Sequence, residues 1–136
     1  MHAALPSRHT FRKTERLNSR KAIETLISSG KNINSAPFKL IWLPIVLATD
    51  FPAQIAFSVP KRHFKKAVDR NRMKRLMRES YRRNKSDIYT LLEERKIQCA
   101  FLLHYTGKSI LTFTEADEKI KLILHRFAKD ILAPTK

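Results

Sequence analysis

Residues 61 to 85 read KRHFKKAVDRNRMKRLMRESYRRNK, and they hold the side chains most able to do chemistry in this chain. Twelve are Lys or Arg against two acids, Asp69 and Glu79, so a formal +10 of the whole chain's +16 sits in this one stretch. Guanidinium groups fork phosphate oxygens and stack on planar rings, and ammonium groups neutralise phosphate as point charges. The chemistry on offer is therefore recognition of a polyanion. Little else competes with it. Two glycines, Gly30 and Gly107, cannot build a phosphate-cradling loop. No HExxH, CxxC or nucleophile-elbow pattern occurs. The five histidines, at 2, 9, 63, 104 and 125, are scattered, and only His63 lies among bases. Cys99 alternates with core residues and reads as a small buried hydrophobe. Glu115, Asp117 and Glu118 open a helix, where acids complement the dipole without gathering a metal. The expectation is a protein with no catalytic side chain, no metal ligand and no small-molecule substrate of its own.

The chain must fold to present such a stretch. At 136 residues with 43% apolar content, eight Phe and only two Gly, it is long and apolar enough for one globular domain with a real core. The charge is uneven: +5 over residues 1–21, zero over 22–60 and +1 over 86–136, around the basic centre. Such asymmetry favours a localised binding face over general solubilising charge. A single cysteine suits a reducing compartment. No apolar run reaches signal-peptide or membrane-span length, since Leu40 to Ala48 is interrupted by Pro44. The expected location is cytoplasmic, with no membrane partner.

The elements that position the stretch follow from periodicity. Residues 1–14 read as a flexible basic arm in which Arg8, Arg12 and Lys13 can reach phosphate. Residues 15–29 read as a helix with Ala22, Ile23, Leu26 and Ile27 as its apolar stripe, capped by Asn18 or Ser19 and stopped by a left-handed Gly30. A short strand is possible near Ile33. Pro37 to Leu47 and Gln54 to Val59 alternate as strands around the turn Thr49-Asp50-Phe51-Pro52, and the expected pairing is an antiparallel hairpin. Phe38, Leu40 and Trp42 share one face; Lys39, Ile41 and Leu43 share the other. Ile88 to Leu92 continues helically before a turn at Glu93 to Lys96. Ile97 to Tyr105 is apolar on both faces and so central in a sheet. Thr112 and Glu115 form a capping box for a last helix running to Leu132, with Ala116, Ile120, Ile123, Leu124, Phe127 and Ile131 buried. The fold class is α+β: a two-layer sandwich in the order α-β-β-α-β-α on a small mixed sheet.

The basic stretch itself reads as a helix from Lys66 to Asn84 with its chemistry sorted by angle. Met73, Leu76, Met77, Ser80 and Tyr81 fall on one face. Asn71, Lys74, Arg75, Arg78 and Arg82 fall on another, with Arg72 and Arg83 on the far shoulder. Arg70 lies beside the apolar face, where it can brace the helix start through a backbone hydrogen bond. Helix-turn-helix spacing is missing, and folded RNA suits a basic helix beside a sheet better than a DNA groove does.

Ser58-Val59-Pro60-Lys61 ending a strand, followed by Arg70-Asn71-Arg72-Met73-Lys74-Arg75-Leu76-Met77-Arg78-Glu79 on a helix, resembles the bacterial ribonuclease P protein subunit. Glu15-Arg16-Leu17 with Gly30 fits that family's first helix, and the resemblance covers residues 15–132. It implies a partner, the catalytic RNase P RNA, and a substrate, precursor tRNA, whose 5′ leader is removed endonucleolytically by RNA-bound Mg²⁺. It implies that Arg70, Asn71, Arg72, Lys74, Arg75 and Arg78 face the catalytic RNA, and Arg82 shares their outward face. It implies a leader cleft between the first helix and the sheet, at Phe38, Leu40, Ser58, Lys61, Arg62, Ile23 and Ile27. The last two are often aromatic in the family, so two stacking platforms are missing here. The resemblance also implies a left-handed βαβ crossover, against the general right-handed rule.

Two rival readings share the charge pattern. A structural ribosomal protein has the same basic α+β design without the motif. A membrane-surface module would use the amphipathic helix, but the strands offer Met73, Leu76, Met77 and Tyr81 a better burial site.

Overall fold

The computed structural model describes residues 11–132. Its centre is a four-stranded mixed sheet made of β1 (Lys31–Ser35), β2 (Phe38–Pro44), β3 (Ala53–Ser58) and β4 (Cys99–Tyr105), in the order β1-β2-β4-β3. The helices are α1 (Arg20–Ser29), α2 (Ala67–Asn84), α3 (Ser86–Arg95) and α4 (Phe113–Leu132). The short strand near Ile33 is β1, paired antiparallel with β2 through Ile33↔Leu40. The strand with two apolar faces, β4, is indeed interior, and six of its seven residues are buried.

The expected hairpin between the second and third strands does not form. β4 is inserted between them, antiparallel to β2 and parallel to β3. A strand apolar on both faces gains most from an interior position, and that outweighs the tendency of consecutive strands to pair. β3 is left on the edge, and the chain covers that edge with its own N-terminal segment. Leu17 N–H donates to Ile55 O at 2.9 Å, and Arg16 bridges to Ile55 in parallel sense.

The same contact shortens the first helix. Residues 13–15 form a 3-10 turn, Arg16 and Leu17 lie extended on β3, and α1 starts only after Ser19, whose hydroxyl accepts from Ala22 N–H at 3.2 Å. Residues 11–14 are no loose arm. Phe11 packs edge-on to Phe57 and Tyr81, and Gln54 Nε2 donates to Thr14 O at 2.9 Å. Residues 1–10, including Arg8, lie outside the described residues. Gly30 ends α1 but is extended (φ −74°, ψ 160°), not left-handed. Glycine is needed there for space, because a Cβ would collide with the Leu26 carbonyl and with the Ile41 side chain. α3 continues through Glu93–Arg95, where a turn was expected, and Lys96 supplies the left-handed stop at φ 57°. At α4, Thr112 and Glu115 do form the reciprocal capping box.

Strand alternation sends two sets of side chains to opposite faces. Ile33, Phe38, Leu40, Trp42, Ile55, Phe101 and Leu103 meet Met73, Met77, Tyr81, Tyr89, Ile120 and Phe127 in the main core beneath α2, α3 and α4. Ile41, Ala100 and Leu102 meet Leu17 and Leu26 in a smaller cluster beneath α1. The sheet and the α2–α4 layer are the two principal layers, and α1 is a short partial cover on the back. This division positions the whole functional surface. Full burial of Met73, Met77 and Tyr81 is worth roughly 1.5–3 kcal/mol each, enough to hold a helix of like charges against the sheet. Asp117 of α4 adds a polar tie, accepting from Ser80 Oγ (2.7 Å) and Asn84 Nδ2 (2.9 Å) of α2.

Candidate RNA interface

The outer surface of α2 is built by the period of the helix. With Met73, Met77, Ser80 and Tyr81 turned into the core, the intervening cations must point away from it. Asn71, Arg72 and Arg75 are exposed, and Lys74, Arg78 and Arg82 are half-buried. Arg70 behaves differently. Its Nη1 donates to Phe64 O (2.8 Å) and Lys65 O (3.0 Å), closing the loop before α2 onto the helix's first turn. Arg82 is also engaged: its guanidinium forks Glu79 at 2.9 and 2.7 Å, and Arg83 adds a third bond at 3.0 Å. Those bonds hold the Glu79 carboxyl down at about 2. Among the described residues no carboxylate pairs with Arg72, Arg75 or Arg78.

Two concavities flank this row. One, of about 630 Å³, is lined by Arg72, Arg75, Leu76, Arg78, Glu79 and Arg82 of α2, by Phe11 and Arg16, and by Phe113 at the start of α4. The other, of about 240 Å³, places Lys74 and Arg78 opposite Arg16, Asn18 and the Ala56–Phe57 segment of β3. Arg78 stands between them, and burial, then Arg16, then Arg75 lower its pKa.

The end of the sheet's back face gathers a second group. Lys39 and His104 are paired residues of β2 and β4, and Ser58 is opposite His104 on β3. His104 Nδ1 lies 3.0 Å from Ser58 Oγ. Partial burial lowers the His104 pKa, with Lys39, Arg62 and His63 adding to the effect. Arg62 is therefore near this group, while Lys61 is exposed in the loop that follows β3. On α1, Ile27 is 59% exposed and Ile23 half-buried. A surface of cationic and polar groups beside a partly apolar helix suits an extended single strand.

Two residues assigned to that cleft do not belong to it. Phe38 and Leu40 are 1% and 0% exposed and point to the opposite face, beneath the α2–α4 layer. The expected alternation holds, but the face that carries Phe38 and Leu40 lies beneath α2 and α4, not α1. Their neighbours of the other parity, Lys39 and Ile41, are the ones on the α1 side. Sequence reasoning also missed Phe11, Arg16, Lys39, His104 and Phe113. Lys39 and His104 carried a signal as polar residues inside apolar strands, and Arg16 as part of the Glu15-Arg16-Leu17 match.

These features match a family model. The model for Ribonuclease P matches residues 11–127. The chain belongs to the ribonuclease P family. The ribonuclease P protein component of Chlorobium phaeobacteroides is 34% identical over 86% of this chain and 87% of its own length. That of Porphyromonas gingivalis is 30% identical over 93% and 92%. The fold is shared with the Staphylococcus aureus RNase P protein solved at 2.0 Å, with a TM-score of 0.68 over 85% of this chain and 96% of that one, at 17% identity. The family supplies the protein component of the ribonucleoprotein that matures the 5′ end of tRNA, and it binds RNA. No helix of the described residues is long and apolar enough to cross a membrane.

Proposed function

We propose that the α2 row of Asn71, Arg72, Lys74, Arg75 and Arg78, with Arg82 beside it, docks on the catalytic RNase P RNA. The back-face group of Ser58, Lys61 and Arg62, with Ile23 and Ile27 of α1, holds the single-stranded 5′ leader of precursor tRNA. Lys39 and His104 replace Phe38 and Leu40 in that group. Arg70 acts indirectly, by bracing the loop that carries Lys61 and Arg62. The observation that carries this reading is that Arg72, Arg75 and Arg78 have no carboxylate partner among the described residues, on a helix whose other face is fixed in the core.

Mg²⁺ belongs to the RNA in this reading. Four of the described carboxylates are already engaged. Glu15 is buried against Lys85, Glu79 is forked by Arg82 and Arg83, Asp117 accepts from Ser80, Asn84 and Lys121, and Glu115 caps α4. No three His, Cys, Asp or Glu residues gather in a metal-binding arrangement among the described residues. Hydrolysis is the RNA's chemistry, and the protein supplies charge and position. The working compartment is the cytoplasm, where precursor tRNA is made.

The test is reconstitution with the cognate RNase P RNA and a precursor tRNA at low Mg²⁺. The protein should bind that RNA and increase leader cleavage. Replacing Arg75 and Arg78 together by Ala should leave the fold intact and flatten the log–log salt dependence of RNA binding by roughly 1.4–1.8, two phosphates' worth. An unchanged slope removes these residues from the interface.

A further inference from the structure

The 630 Å³ groove beside α2 has a composition that phosphate binding alone does not require. Two aromatic rings stand in its wall. Phe11 is held edge-on by Phe57 (6.1 Å between centroids) and Tyr81 (5.9 Å), and the Arg16 guanidinium lies 5.7 Å from its ring centre. Phe113 comes from the first turn of α4, with the Arg83 guanidinium 4.9 Å from its ring centre. Both rings are only partly buried. Leu76, Arg72, Arg75 and Arg78 of α2 line the same groove.

The electrostatics call for an anion. The groove's own acid, Glu79, is already forked by Arg82 and Arg83. Arg16, Arg75 and Arg78 crowd together with no carboxylate partner among the described residues. A bare phosphate would satisfy the cations and leave the apolar walls wet. A nucleotide satisfies both, since any base has a face for an aromatic ring and carries phosphate beside it. The groove volume lies within the range of small-molecule sites.

We infer that this groove takes one unpaired nucleotide of the RNase P RNA, its base against Phe11 and Phe113 and its phosphate on Arg16, Arg75 and Arg78. This rests on the reading of α2 as the face for that RNA. The site would make α2 a reader of RNA shape as well as of charge: it engages a nucleotide swung out of its helix and rejects a paired one.

The experiment compares Phe11→Leu and Phe113→Leu, singly and together, with Arg75→Ala/Arg78→Ala. Binding to the RNase P RNA is measured across salt, and base-specific chemical probing of that RNA is read with and without protein. Leu keeps the apolar volume, and thermal melts report whether Phe11→Leu weakens packing on Tyr81. Phe113 is farther from that core, so its variant stands if the other is unstable. Loss of stacking should weaken binding about 5- to 150-fold with an unchanged salt slope. One nucleotide protected at its base by the wild-type protein should become reactive again. The arginine pair should flatten the slope instead. If folded Phe113→Leu binds as wild type and leaves every base protection in place, the nucleotide site is wrong while the interface stands. If probing precursor tRNA in the same way shows the lost protection there instead, the assignment to RNase P RNA is wrong. If the wild-type protein fails to bind the RNA at all, both the interface and the site fall.

Discussion

Lys85 and Arg75 come from the same basic stretch, and the structure treats them as opposites. Lys85 is 1% exposed, its ammonium paired with the buried carboxylate of Glu15 and lying 5.0 Å from the centre of the Tyr89 ring. Tyr89 Oη donates to the same carboxylate at 2.6 Å and accepts from Tyr81 Oη at 3.1 Å. Arg75 is exposed and has no carboxylate partner among the described residues. One cation fastens the N-terminal segment to the end of α2, and the other is left for a partner. Charge density alone cannot sort the two. What sorts them is whether the chain supplies its own anion.

The largest effect that sharpens this contrast is on Lys85. Lys85→Ala strands Glu15 in the core and should cost about 3–5 kcal/mol of unfolding free energy. Urea denaturation would measure it, and the loss should persist in high salt because the pair is shielded from solvent. Glu15→Leu with Lys85→Met should recover most of the stability. If Lys85→Ala is neutral, the pair is not a tether, and the contrast with Arg75 disappears.

Glu79 is the intermediate case, an acid that holds its cations at the surface. Glu79→Gln should change stability by less than about 1 kcal/mol. It should also tighten RNA binding at low salt, because Arg82 and Arg83 lose a competing anion and the surface loses a negative charge. Equal affinities of wild type and variant across the salt range would place Arg82 outside the RNA face.

The smallest effect concerns His104. Its pKa is lowered in the folded protein, so the unfolded state holds more protons across that window. The associated stability is fully present above the unfolded value near 6.5 and is lost as pH falls through the folded value. An NMR titration of the imidazole should show a midpoint below about 6.5. Leader RNA should raise that midpoint, because phosphate favours the imidazolium. A midpoint that leader RNA leaves in place removes His104 from the cleft.

Much of the α2 surface was legible because helical period and charge agree there. Every third or fourth residue is either core or cation, and tertiary packing had no reason to override the pattern. The strands were legible singly but not in their pairing. Period-two alternation separates Leu40 from Ile41 without stating which lies under α1. That choice is made by β4, whose insertion between β2 and β3 follows from its two apolar faces. β1 was faint because Ile33 is its sole buried residue. The Glu15–Lys85 pair carried no local signal at all, since its members lie far apart in the chain and meet only when the sheet is closed. Phe11 and Phe113 are in the same position: each looks like an ordinary hydrophobe until the fold sets both against α2.

The parallel register of β3 on β4, from Ala53↔Cys99 to Ser58↔His104, imposes an order on synthesis. At translation rates of about 5–20 residues per second, the whole of α2 is made before β4 and α4, which complete the core around it, exist. During that interval Met73, Met77 and Tyr81 have no complete core to enter, and the row of arginines is already displayed. Closure then requires a long loop to be drawn in, an entropic cost that slows folding. A nascent chain of this kind meets a world of ribosomal and messenger RNA with its cations formed and its anchor missing. The basic row is thus complete in the chain before the core that orients it.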